Sequence, residues 1–245
     1  MDTTLNYSPN FEIKKRKAKQ IKFIIFHYTG MEKESATIER LTNMKSKVSS
    51  HYLIRYNGEI VIMVPDLYEA WHAGVSSWKN LKSLNKHSIG IEISNPGHEY
   101  KYKRFSKKQI QSLKKLSKFL IKKYKINKRN ILGHSDIAPT RKKDPGEKFP
   151  WKYLAKFGIG KWHSLSKKTL IKHRRKKISL INKKIFFKNL QGIGYTIKSP
   201  PKFKKNFSLS LITIAFQRKF RQELINGKID QECLLISQNL AKKLN

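Results

Sequence analysis

The run IKFIIFHY, residues 21–28, predicts a short strand that is apolar on both faces and ends in His27 and Tyr28. A strand of that kind needs cover from both sides. The chain around it supplies the cover. HYLIRY (51–56) and EIVIMV (59–64) flank Asn57-Gly58, the dipeptide of a two-residue hairpin. SIGIEI (88–93) reads as a further strand before the turn Asn95-Pro96-Gly97. Ser106 then opens a helix, with Gln109 completing a capping box and Ile110, Leu113, Leu116, Leu120, Ile121 and Tyr124 on one stripe. Asn130-Ile131-Leu132 is a short extended segment. Strands and helices alternate without a strict βαβ repeat, so the expected fold is α/β, a mixed central β-sheet flanked by helices.

Composition changes after Trp151. Residues 164–188 are dense in Lys and Arg with apolar positions between them, and LQGIGYTIKSPP (190–201) reads as a loop. Residues 208–226 place Leu209, Ile212, Phe216, Phe220 and Leu224 at helical spacing, and 231–244 is also helical in pattern. We therefore expect a main domain over 1–163 and a small all-α domain over 164–245, joined through FGIGKWHS. An extended helical tail on a single domain is the alternative.

Charge narrows the partners. The chain carries 54 Lys and Arg against 16 Asp and Glu, a formal +38. Such a balance fits a polyanion, but Lys dominates over Arg, runs through every segment and comes with no nucleic-acid motif. Compositional bias is the simpler reading, and no nucleic-acid partner is expected. Cys233 is the sole cysteine, which rules out an intrachain disulfide and a cysteine-based metal site. No stretch is long enough to span a bilayer. The first twenty residues lack the apolar core of a signal peptide, so a cytoplasmic location is expected.

The stretch GHSDIAPTRKKDPG, residues 133–146, crowds a histidine, two aspartates and three further basic residues among prolines and glycines, which argues against a helix. Without cysteines, a metal site must use His and carboxylates, and two histidines with one carboxylate form a known catalytic zinc set. The candidates are His27, His51, His72, His87, His98, His134, His163 and His173, with Asp136 or Asp144 supplying oxygen. His27 ends a central strand, where ligands gather in open α/β sheets. Spacing alone leaves two readings open: a metal site, or a hydrogen-bonded core histidine beside a solvated turn. Glu92 adds weight, because it shares a strand face with Gly90 and Ser94, and a mid-strand glutamate needs a cation, a bound water or a salt bridge.

FHYTG (26–30), VSSHYLI (48–54), WHAG (71–74), SIGIEISNPG (88–97), GHSDIAP and KKDPG (133–146) resemble, in order, the zinc-dependent N-acetylmuramoyl-L-alanine amidases of the type 2 family. That family is related to the peptidoglycan recognition proteins and to the T7-type lysozyme. The tail LQGIGY…AFQRKFRQELINGKIDQE resembles the three-helix peptidoglycan-binding domain of some members. Carried over by position, the resemblance implies that His27, His134 and Asp144 bind Zn2+, that Glu92 is the catalytic glutamate and that Lys142 is the catalytic lysine. It also implies that Trp71 and His72 line the substrate groove. His51 is structural or substrate-facing. Asp136 either orients an imidazole or caps a turn, and Arg141 and Lys143 are solvated charge or partners of stem-peptide carboxylates. No sequence argument gives His87, His98, His163 or His173 a role.

The implied activity is zinc-dependent hydrolysis of the amide between N-acetylmuramic acid and L-alanine, in peptidoglycan or its turnover muropeptides. The alternative is a recognition protein that holds muropeptides without cutting them. A wall-binding tail would favour the periplasm or cell envelope over the cytoplasm.

Overall fold

The computed structural model describes residues 3–197 and 207–242. In chain order the strands and helices of the first half are β1 (Thr3–Leu5), β2 (Phe11–Glu12), β3 (Phe23–Phe26), α1 (Glu34–Thr42), β4 (Tyr52–Ile54), β5 (Ile60–Ile62), β6 (Glu69–Ala70), β7 (Ser77–Trp78), β8 (Leu81–Lys82) and β9 (Ser88–Ile93). Then follow α2 (Lys107–Tyr124), β10 (Ile131–Gly133), α3 (His134–Ile137), α4 (Trp151–Ala155), α5 (Lys167–His173), α6 (Leu180–Ile193), α7 (Phe207–Phe220) and α8 (Gln231–Lys242). The central sheet has six strands in the order β1-β5-β4-β9-β3-β10. It is mixed: β4 and β5 pair antiparallel, while β9, β3 and β10 run parallel out to one edge.

β3 is buried at every residue, as its double-sided apolar pattern demands. Its two faces pack against different parts of the chain. Ile24 and Phe26 join Leu113, Leu116 and Leu120 of α2. Phe23 and Ile25 share one cluster with Phe186 and Leu190 of α6, Phe216 of α7 and Leu240 of α8. α2 starts where expected, with Ser106 and Gln109 exchanging capping hydrogen bonds. Gln109 Nε2 also donates to the Ser94 carbonyl at 2.7 Å and so fastens the helix to the end of β9.

Four details differ from the sequence reading. The hairpin turn is a three-residue loop: Gly58 N–H donates to the Arg55 carbonyl at 3.0 Å, and Arg55 N–H to Glu59 at 2.9 Å. Only Gly58, at φ +89°, is left-handed there, so the loop is a type I turn closed by a bulge, which splays the strands less than a bare type I turn. Stretch 133–146 opens with one helical turn, α3, because Gly133 and the prolines fall outside those four residues. Residues 190–193 belong to α6, and 198–201 of that expected loop lie outside the described residues. α7 stops at Phe220 rather than 226, since the chain turns back around the Gln217 side chain, which accepts from the amides of Asn226 and Gly227 at 2.9 Å each. The closing helix ends at Lys242, and 243–244 lie outside the described residues.

Among the described residues no helix is long and apolar enough to cross a membrane. Cys233 is a free thiol buried in α8.

Candidate metal centre and active site

The register of three neighbouring parallel strands, β9, β3 and β10, assembles the site. Gly133 of β10 pairs with Phe26 of β3, and Phe26 pairs with Ile91 of β9. One residue further along each strand stand His134, His27 and Glu92. Because paired residues on neighbouring strands point to the same side, all three side chains leave the sheet from one face at the carboxyl ends of parallel strands, where open α/β sheets collect their ligands. Asp144 returns on the loop after α3, pinned by Ser135 N–H donating to its carbonyl at 2.9 Å.

His27 Nδ1, His134 Nδ1 and Asp144 Oδ2 form a triangle with all three edges 3.0 Å. All three residues are buried, and they form one cluster able to hold a metal ion. The surrounding hydrogen bonds fix the protons. Ser88 Oγ–H donates to the Leu84 carbonyl at 2.6 Å, so its oxygen accepts from His72 Nε2–H at 3.1 Å. Burial and the neighbouring His27 and His51 hold His72 well below its ordinary pKa, hence neutral, with a lone pair on Nδ1. That lone pair accepts from His27 Nε2–H at 3.0 Å. Burial, then His134, pulls His27 down to about 4, so it is neutral too and its Nδ1 carries a lone pair. His134 donates Nε2–H to the Ala73 carbonyl at 3.1 Å, which turns its Nδ1 toward the other two donor atoms.

Two ring nitrogens and a carboxylate oxygen therefore converge on one point. Such an array is repulsive unless a proton or a metal cation sits in it. Tetrahedral zinc with bonds of ~2.1 Å spaces its donors about 3.4 Å apart, so an opening of a few tenths of an ångström suffices. Two imidazoles and one carboxylate also match the donor set of a catalytic zinc that keeps a position open. Burial alone would raise the Asp144 pKa, but the two imidazoles beside it hold it far below the usual carboxylate range.

The triangle forms the floor of a cleft of about 370 Å³, lined also by Tyr28, Arg40, Trp71, His72, Glu92 and Lys142. Glu92 is half-buried, and its Oε2 is buried without a hydrogen-bond partner. Burial first, and then the charge of Asp144, pushes its pKa well above the ordinary value, while Lys142 and Arg40 oppose the shift. Trp71 is anchored at the rim, its Nε1–H donating to Glu12 at 3.2 Å and its amide to Ser49 Oγ at 2.8 Å.

Of the remaining candidates, Arg141 and Lys143 line the cleft, while His51 and Asp136 do not. His51 is fully buried beneath the sheet end, where Nδ1 accepts from Gly90 N–H at 3.0 Å and Nε2–H donates to the Tyr68 carbonyl at 3.1 Å. Asp136 touches no imidazole; it caps its own turn, accepting from Gly133 N–H at 2.8 Å. Lys143 pairs with Glu99 at 3.0 Å on the rim. Arg141 is not merely solvated: its guanidinium donates to the carbonyls of Ala73 at 2.5 Å and Val75 at 2.7 Å. It thereby straps down the carbonyl that His134 uses.

Two further features escaped the sequence. His72 is both cleft lining and the orienting partner of His27, and it lies so close over β9 that a Cβ on Gly90 would meet its ring at 2.3 Å. His98 bridges the cleft residue Tyr28 (2.9 Å to its hydroxyl) and Glu147 (3.0 Å), stacked on Tyr102. The Gly-x-Glu spacing in SIGIEI was the one visible hint of the first; nothing in the sequence pointed to the second.

Residues 17–147 match the family model described as N-acetylmuramoyl-L-alanine amidase. The chain is 36% identical over 238 residues to the N-acetylmuramoyl-L-alanine amidase AmiD of Escherichia coli K12, covering 91% of this chain and 83% of that protein. The solved structure of E. coli AmiD with anhydro-N-acetylmuramic acid-L-Ala-D-γ-Glu-L-Lys superposes with a TM-score of 0.78 at 34% identity, over 95% of this chain and 91% of that one. The structure of Pseudomonas aeruginosa AmpDh3 with an anhydromuramic pentapeptide gives a TM-score of 0.80 at 30% identity, over 98% of both chains.

Proposed function

This chain belongs to the N-acetylmuramoyl-L-alanine amidase family, and on that premise we propose that it hydrolyses the amide between N-acetylmuramic acid and L-alanine with Zn2+ held by His27, His134 and Asp144. The observation that carries this reading is the convergence of two imidazole nitrogens and a carboxylate oxygen, all buried and 3.0 Å apart. The substrates are proposed to include turnover muropeptides, because the superposed AmiD and AmpDh3 structures contain anhydromuramyl peptides.

Bound at that triangle, zinc supplies Lewis acidity to the scissile carbonyl and brings the pKa of a water to about 7. The remaining work belongs to the protein. Glu92 holds an unpartnered oxygen in the same cleft and a raised pKa, both suited to taking a proton from the attacking water and returning it to the leaving amine. Lys142 brings a positive charge to the cleft wall, where it balances the developing oxyanion; one such donor is worth on the order of 3 kcal/mol of barrier. Trp71 and His72 offer apolar lining for the sugar and peptide, and Arg40 offers a charge for stem-peptide carboxylates. Residues 164–245 are proposed as a helical, peptidoglycan-binding-like unit, a reading supported by similarity to AmiD across 91% of the chain. The alternative of a binder that does not cut gives no reason for Glu92 to keep a buried oxygen unpaired beside the donor triangle.

Incubating the purified protein with an anhydro-muropeptide, before and after chelation, tests the reading. Release of stem peptide should stop when zinc is stripped and return when it is restored; release that persists without metal overturns it. Glu92→Ala should keep zinc affinity and lose turnover by about 10²–10⁴-fold.

A further inference from the structure

Asp136 follows His134 by two residues in the single turn of α3, yet its carboxylate faces away from the metal donors. It is buried to 1% exposure, and two of its three partners come from the far end of the chain. Lys219 of α7 donates to Oδ2 at 2.6 Å. The hydroxyl of Tyr195, just beyond α6, donates to Oδ1 at 2.6 Å. Gly133 N–H supplies the third bond, at 2.8 Å to Oδ2.

Lys219 does more than neutralise a charge. Its ammonium also donates to the Ile131 carbonyl at 3.3 Å and lies 4.3 Å from the Trp151 ring centre. One buried side chain thus touches the start of β10, the turn that carries His134 and the helix α4. Burial pulls the Lys219 ammonium below its ordinary pKa, and Asp136 opposes that shift. A buried ion pair is weak evidence for stability, since apolar residues of the same volume often serve as well. What this pair supplies is direction. α3 is only four residues long, and its own backbone cannot fix the angle at which His134 leaves the strand.

We propose that Lys219 and Tyr195 are positioning residues for the metal centre: by clamping Asp136 they set the orientation of His134, so the C-terminal helices are part of the catalytic apparatus. This rests on His134 being a zinc ligand, as proposed above. It assigns those helices a task separate from any contact with glycan. Residues that hold metal ligands in place typically change metal affinity or turnover by 10–100-fold when lost.

The test uses the full-length protein and reads zinc affinity by competition with a chromophoric chelator, kcat and KM on an anhydro-muropeptide, and Tm. Lys219→Met should weaken zinc binding and lower kcat by about 10–100-fold with KM changed less than about threefold. Tyr195→Phe, which removes one hydroxyl and no charge, should give a smaller loss of the same kind while remaining folded. Lys219→Arg should recover part of the zinc affinity. The control is Arg174→Met. It strips the buried Glu232 of a partner that donates to both its oxygens at 2.8 Å, within the same C-terminal helices and away from Asp136. That variant should lower Tm and leave zinc affinity unchanged. The inference is overturned if Lys219→Met and Tyr195→Phe bind zinc as the wild type does, or if Arg174→Met loses zinc equally. A wild-type protein that bound no zinc would instead overturn the reading of the metal site itself, and this inference with it.

Discussion

His27 and His134 offer the same atom to the same point, but they are held by different means. His27 is oriented by a line of hydrogen bonds running through His72 and Ser88 to the Leu84 carbonyl, a chain of groups confined to residues 72–88. His134 leans on a single backbone carbonyl, that of Ala73, which Arg141 straps in place, and on a turn whose acidic residue is gripped from α7. The first support is a proton relay in which every member fixes the tautomer of the next. The second is mechanical, a matter of where a loop and a short turn are pulled. An imidazole held by a line of hydrogen bonds is vulnerable to changes of chemistry, and one held by straps is vulnerable to changes of position.

Substitutions can pull the two supports apart. His72→Phe keeps an aromatic ring over Gly90 but removes the acceptor for His27 Nε2–H; it should cost about 10–100-fold in zinc affinity and turnover. Arg141→Met should cost less, about tenfold in zinc affinity, because the Ala73 carbonyl remains and only its strap is lost. If Arg141→Met proved the more damaging in chelator competition, the two supports would have been ranked the wrong way round. The smallest effect near neutrality is that of acid. His51, which underpins the His72 side by accepting from Gly90 N–H, is pulled from 6.5 to about 3, by burial first and then by Arg16. The unfolded chain protonates this imidazole near 6.5 while the fold does not. Stability is therefore fully present above about pH 6.5, falls by up to about a factor of ten in the folding equilibrium per pH unit below it, and levels off near pH 3. Denaturant unfolding of His51→Gln at pH 7 and pH 5 should show a shallower acid loss than the wild type.

The parts of the fold that depend on local pattern were legible in the sequence. β3 and α2 declared themselves through unbroken apolarity and a capped 3.6-residue stripe. The donor set, by contrast, became legible through ordered motifs rather than spacing, since parallel neighbours such as β3, β9 and β10 meet only after long crossovers that no local rule describes. Their register, which sets His134, His27 and Glu92 at one level, is a tertiary fact. So are the identities of the supports. Lys219 is one lysine among very many, and nothing distinguishes it until α7 is laid against α3. Arg141 looked like solvated charge because its chain neighbours are charged, yet its guanidinium finds the carbonyls of a loop some 66 residues earlier. Asp136 was rightly seen as a possible cap and wrongly as a possible partner of an imidazole, because a two-residue offset on a helical turn points the carboxylate to the opposite side of the turn.

The donor triangle joins residue 27 to residues 107 and 117 positions further along the chain. An ion seated there closes two long loops at once, restricting the unfolded ensemble in the way that crosslinks restrict a network. With one cysteine the chain can form no intrachain disulfide, so such an ion would add the one side-chain crosslink to the backbone ladder that joins β3 to β10. The proposed metal would then also be a knot that helps keep the sheet in register.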